Sequence, residues 1–176
     1  MIENNDKPIV NKVAASTVLI TLDLEDFLIN IPRVPFDIKA FLYKDYVLKE
    51  QEFRESLRNV AWNEYQGKAV YIFCSSDAIV PFWAYLLIAA YLHPHTQYYC
   101  FGKESQLISK LITDSMHQSN PEQYRGKKVL IKGCSDNGIS EYVYVEAARL
   151  LLPYVSSLMY GEACSNVPVV KSGKIS

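Results

Sequence analysis

A chain of 176 residues, 49% of them hydrophobic, is long enough to bury a sizeable core and too apolar for wholesale disorder. Its net charge is -1 with acids and bases mixed along it. That leaves no basic field to gather nucleic acid and no polybasic stretch for an anionic membrane, so neither is expected as a partner.

Residues 1–11 read as a polar tail without the basic start and apolar block of a secretory signal, which points to a cytoplasmic protein. Residues 17–22 are apolar and β-rich and predict a strand. The acidic run that follows, Asp23, Glu25 and Asp26, reads as a solvated strand end, since nothing in it resembles a calcium loop. Pro32 and Pro35 punctuate a loop, Asp37 is placed to cap a short helix through Leu42, residues 46–48 suit an edge strand, and residues 51–60 form an amphipathic helix. Residues 1–60 thus form an irregular addition packed on the rest. No linker separates them, so the expectation is a single domain over 1–176.

The remainder carries part of its own sequence twice. Residues 65–102 and 124–161 align without a gap at an offset of 59, with 12 identities in 38 positions, among them Gly67/Gly126, Val70/Val129, Ile72/Ile131, Asp77/Asp136, Tyr85/Tyr144 and Gly102/Gly161. Chance would give roughly two or three. Each copy reads as strand, helix, strand. Residues 68–74 are a β-rich run after a glycine turn, residues 81–92 a helix with proline in its first turn, and residues 97–101 a strand after the breaker Pro94. The second copy gives 128–132, 140–152 and 157–160. A helix over 104–116 joins the copies, with Leu107, Ile108, Leu111 and Ile112 at helical spacing.

Two βαβ repeats predict an α/β fold with an open, mostly parallel, doubly wound sheet, three-layered and Rossmann-like. The natural strand order is 2-1-3-4, which makes the first strands of the two copies neighbours. The helix over 81–92 carries no charge at all, whereas its counterpart carries Glu141, Glu146 and Arg149. The N-terminal addition or a second subunit must cover its outer face, which makes a homodimer one expectation. The longest apolar run, residues 78–92, is too short to span a bilayer.

Each strand is followed by a small polar turn, and together these turns direct Cys74, Asp77, Cys134, Asp136, Glu162 and Cys164 toward the carboxyl edge of the sheet. Thiolates select zinc or an iron–sulfur cluster, so Cys74, Cys134 and Cys164, assisted by Asp77 or Glu162, are the candidate metal ligands. The bland reading stays open: cysteine is often simply buried, and aspartate beside a helix start is a routine cap. Cys100, inside a strand, is assigned to the core. No nucleotide fingerprint and no GxSxG occur, and His93, His95 and His117 sit around helix ends. An anion pocket using Lys103, Lys132 or Arg149 is a further alternative, and catalysis is left open.

The phrases Cys74-Ser75-Ser76-Asp77-Ala78-Ile79-Val80-Pro81, Lys132-Gly133-Cys134-Ser135 and Tyr160-Gly161-Glu162-Ala163-Cys164-Ser165, with Asp23-Leu24-Glu25-Asp26-Phe27 and Phe36-Asp37-Ile38-Lys39 upstream, resemble domain of unknown function 2480, a family of uncharacterised Bacteroidetes proteins. The resemblance spans nearly the whole chain. It implies a link to iron–sulfur cluster biogenesis, with assembly proteins as partners, through the genes that commonly neighbour the family. The leading expectation is a cytoplasmic α/β protein holding zinc, or alternatively an iron–sulfur cluster, at those cysteines. The rivals are a non-catalytic homodimeric adaptor using the apolar 81–92 helix, and a metal-free enzyme acting on an anionic metabolite.

Overall fold

The computed structural model describes residues 19–132, 138–171 and 174–175. In chain order its elements are β1 (Leu19–Leu22), β2 (Arg33–Asp37), α1 (Glu50–Arg58), β3 (Ala69–Phe73), α2 (Phe82–Leu92), β4 (Tyr99–Phe101), α3 (Glu104–Gln118), β5 (Lys128–Lys132), α4 (Glu141–Leu151), β6 (Ser157–Glu162), β7 (Ser165–Lys171) and β8 (Lys174–Ile175). Short 3-10 turns intervene. This is an α/β fold of the Rossmann-like kind, with open, mostly parallel sheets, and the chain divides into two compact units. None of the described helices is long and apolar enough to cross a membrane.

The repeat is real at the level of backbone. β3 and β5, and α2 and α4, coincide residue for residue at the offset of 59. Gly67 and Gly126 share a left-handed conformation (φ 67° and 71°), and Gly102 and Gly161 share another (φ 124° and 127°), which is why glycine stands at both places in both copies. The N–H of Gly67 donates to the carbonyl of His95, and the N–H of Gly126 to that of Tyr154, again 59 residues apart. The buried stripe of each helix also corresponds: Ala84, Ile88 and Leu92 in one, Val143, Ala147 and Leu151 in the other.

The larger unit, Asp23–Asn120 with Cys134–Leu150, holds a parallel sheet of order β2-β3-β4. Alternation along β3 sends Val70 and Ile72 to one face, where they meet Ala84, Ile88 and Leu92 of α2, and Ala69 and Tyr71 to the other, where they meet Leu107 and Leu111 of α3. Helices on both faces make this unit three-layered. The N-terminal addition packs on both faces: Leu28, Ile29 and Ile31 lie against the α3-side core, whereas on the α2 side Phe36 stacks on Trp62 at 5.4 Å, Trp62 on Tyr91 at 5.0 Å, and the Trp62 Nε1–H donates to the Leu57 carbonyl at 2.7 Å. The smaller unit holds the sheet β1-β5-β6-β7-β8, parallel through β6 and antiparallel beyond it.

The strand order differs from 2-1-3-4. β3 is flanked by β2 and β4, and β5 by β1 and β6, so the first strands of the two copies are not neighbours. Two strands of the N-terminal addition occupy those edges, one in each sheet. Pro35 lies within β2 rather than in a loop, tolerated because β2 is an edge strand with one side unpaired. Residues 46–48 form no strand; a single bridge, Tyr43 to Val47, closes a tight loop through Lys44 and Asp45, both at positive φ.

Candidate functional site

In the larger unit the parallel strands bring Asp37, at the end of β2, beside the turn that follows β3. Cys74 is half-buried against the α2-side core, its Sγ 3.4 Å from the Ser76 Oγ. Asp77 is exposed. It does not cap α2, whose N-cap is Pro81 with no side-chain hydrogen bond, so the expected capping role is corrected there. In the smaller unit Glu162 ends β6 and pairs with Ser165 across a tight antiparallel turn, and Cys164 is exposed within that turn. The strand β7 that makes this a hairpin was not foreseen. Cys134 and Asp136 lie outside the described residues. Among the described residues no three His, Cys, Asp or Glu side chains are grouped to hold a metal ion. Cys100 is half-buried and packs against the core residues Ala69, Leu107 and Leu111, and burial pushes its thiol pKa up.

The residue that organises the β3 turn is Asp37. Its Oδ1 accepts from the N–H of Lys39 and of Ser75, both at 3.0 Å, and its Oδ2 from the Ser75 hydroxyl at 2.6 Å. Burial pulls its pKa up, but the Ser75 hydroxyl and the two backbone donors outweigh it, so the carboxyl sits below its ordinary value of 3.8. A depressed carboxylate stabilises the fold above the unfolded value and loses that contribution as pH falls through the folded one. Asp37→Ala is therefore expected to cost about 1–2 kcal/mol near neutral pH. In urea titrations the gap between variant and parent should close only below about pH 4, because the folded carboxyl titrates under 3.8; a gap that persists unchanged at pH 2 would contradict the assignment. The sequence placed Asp37 as a cap of the following 3-10 turn; its grip on Ser75, 38 residues away, needed the β2–β3 pairing.

The other feature of this unit is the outer face of α2. Trp83 is covered by α1, meeting Phe53 edge-on at 5.8 Å with the Arg54 guanidinium 5.1 Å over its ring. The N-terminal addition thus covers one flank of the helix. It leaves the stripe Phe82, Leu86 and Ala90 exposed, with Phe82 at 88% and Leu86 at 71%. Phe101 (68%) extends the patch and meets Tyr85 edge-on at 5.3 Å, and Ile79, just before the helix, is exposed as well. Val80, Phe82, Tyr85, Leu86 and Phe101 line an apolar hollow of about 400 Å³. At the same positions α4 carries Glu141, Val145 and Arg149, with Arg149 held by Glu146 at 2.8 Å. The scaffold itself does not require an apolar stripe there.

A polar groove of about 510 Å³ lies along α3 and the start of α4, but its groups satisfy one another: Ser109 with Ser140 at 2.8 Å, Lys110 with Asp114 at 2.7 Å. Arg149, offered above as an anion ligand, is committed to Glu146.

No curated protein and no solved structure matches the sequence. The family described as Protein of unknown function (DUF2480) matches residues 7–172. With nearly its whole length matched, the chain belongs to the DUF2480 family.

Proposed function

We propose that the protein is a homodimeric, non-catalytic adaptor whose subunits meet through the outer face of α2. The observation that carries this reading is the exposed apolar surface formed by Phe82 and Leu86, on a helix that has no charged residue, together with Phe101 at the end of β4. A second copy is the occupant that suits it best, because a twofold contact sets the same side chains against each other and an uncharged surface brings no like charges together. Light scattering should give twice the chain mass for the parent. Leu86→Glu, which buries a carboxylate at the contact and changes nothing inside the subunit, should give the monomer with an unaltered circular dichroism spectrum. A monomeric parent would end this reading.

A second reading keeps the thiolate centre, with Cys74, Cys134 and Cys164 as ligands, Asp77 or Glu162 assisting, and zinc ahead of an iron–sulfur cluster. One register favours it: Lys132, two residues before Cys134, pairs with Gly161, three residues before Cys164, on adjacent parallel strands. If catalytic, the metal acts as a Lewis acid or activates water. A cytoplasmic location and a role beside iron–sulfur assembly proteins go with this reading. Anaerobically purified protein should carry stoichiometric zinc or show broad visible absorbance; metal-free protein with an unchanged fold would dismiss it.

A further inference from the structure

We infer that the dimer is built by sheet extension: the outer edge of β4 pairs antiparallel with β4 of a second copy, giving one continuous sheet with three strands from each subunit. The inference rests on the homodimeric reading of the α2 face and specifies how that contact is made.

The hydrogen bonds of β4 show which groups are left over. The Val70 N–H donates to the Tyr98 carbonyl at 2.8 Å, and the Gly102 N–H donates to the Ile72 carbonyl at 2.9 Å. In a parallel ladder the bonding residues alternate, so Tyr98, Cys100 and Gly102 face β3, and the N–H and C=O groups of Tyr99 and Phe101 face away from it. β4 is the last strand of its sheet. Among the described residues its outward backbone groups therefore meet no further strand of that sheet.

Two comparisons within the molecule say what belongs at this edge. The first is the other edge of the same sheet. β2 carries Arg33, Pro35 and Asp37, charges and a proline of the kind that keep an open edge from pairing. β4 reads Tyr-Cys-Phe and has no such device. The second is the repeat. β6 is the counterpart of β4, and its outer edge is filled by an antiparallel strand, β7, with Tyr160, the equivalent of Phe101, paired to Val167. The duplicated half-fold thus accepts an antiparallel strand at this place, and in the first copy the sheet supplies none.

A second β4 fits the vacancy by symmetry. With a twofold axis through Cys100, Tyr99 of each copy faces Phe101 of the other, and these are the residues whose N–H and C=O groups point outward. The aromatic pairs that result are favourable cross-strand neighbours. Phe101 stands on the α2 face of the sheet, in contact with Tyr85, so the same axis brings the two Phe82–Leu86 surfaces toward each other. Backbone pairing fixes the register, and the apolar patch supplies the burial.

Phe101→Pro tests the strand contact directly, because it removes an outward N–H and leaves the Cys100 and Gly102 bonds to β3 in place. Phe101→Val, which keeps the N–H, is its control. By sedimentation equilibrium the proline variant should dissociate at least about tenfold more readily than the valine variant, since each dimer loses two hydrogen bonds. Independently of any substitution in β4, the Tyr99 and Phe101 amides of the parent dimer should exchange with deuterium slowly, and quickly in monomeric Leu86→Glu. A dimeric parent with fast exchange at both amides, and with proline and valine variants that dissociate alike, would overturn the sheet extension while leaving the α2 contact standing. A monomeric parent would remove both.

Discussion

Phe53→Ala is expected to lower the unfolding free energy by about 3–5 kcal/mol, the range for removing a fully buried aromatic ring from a packed core. Phe53 is 0% exposed and meets two rings edge-on, Phe41 at 6.0 Å and Trp83 at 5.8 Å. It fastens α1 onto α2 beside the aromatic stack, and its neighbour Phe41, itself stacked on Phe36, has little freedom to collapse into the space it leaves. A fall in Tm on the order of 10 °C should accompany the loss. Urea unfolding followed by tryptophan fluorescence reads it, because Trp83 loses its edge contact with Phe53. A cost under about 1 kcal/mol would mean that α1 is not an integral part of this core.

Gly161→Val is the second large effect, expected at about 2–4 kcal/mol from backbone strain and overpacking together. Gly161 sits at φ 127°, and a Cβ built there would lie 2.5 Å from the Ser165 carbonyl oxygen and 3.1 Å from the Asn166 Cα. Both are backbone atoms of the strand paired with β6, so the clash is relieved only by opening the β6–β7 hairpin. Its counterpart Gly102 has nearly the same φ, 124°, but there the Cβ would meet only the Gln106 side chain, at 3.0 Å. Gly102→Val should therefore cost less than Gly161→Val, because a side chain can turn aside and a paired backbone cannot. Thermal unfolding of the two variants in parallel makes the comparison, and equal costs would place the whole effect in φ.

The parts of this fold that the sequence reveals are those with a repeating side-chain pattern. The two βαβ copies, the helix over 104–116 and the capping place of Asp37 follow from glycines, apolar spacing and caps, all local signals. The strand order escapes such reading because β1 and β2 are short segments of the irregular N-terminal region, and which sheet each joins is decided by long-range pairing. β7 escapes for another reason. Along Ser165–Lys171 almost every residue is exposed, so the strand is held by backbone hydrogen bonds to β6 and carries no alternation of buried and open positions. The lack of charge in the 81–92 helix marked a face of which a part is exposed. Which part of that surface is open is decided by α1, whose packing on Trp83 is invisible in α2's own sequence. The cysteine site is legible only as a set of strand ends: Cys74 and Asp77 fall in one turn, Glu162 and Cys164 in another, and Cys134 lies outside the described residues.

Two strands that follow one another closely in the chain belong to different sheets, and this gives the molecule a timetable. Arg33 finds its partner at Ala69, within forty residues, whereas Leu19 waits for Lys128, more than a hundred residues on. At a synthesis rate of roughly 5–20 residues per second, β2, β3 and β4 have all left the ribosome seconds before β5 emerges from it. The nascent polypeptide then displays a finished three-stranded sheet while β1 still has no place to bind. Closing so long a loop is slow. The five-stranded sheet is thus the last part to mature, and a ribosome-bound chain ending near residue 150 should already protect the amides of β3 from exchange.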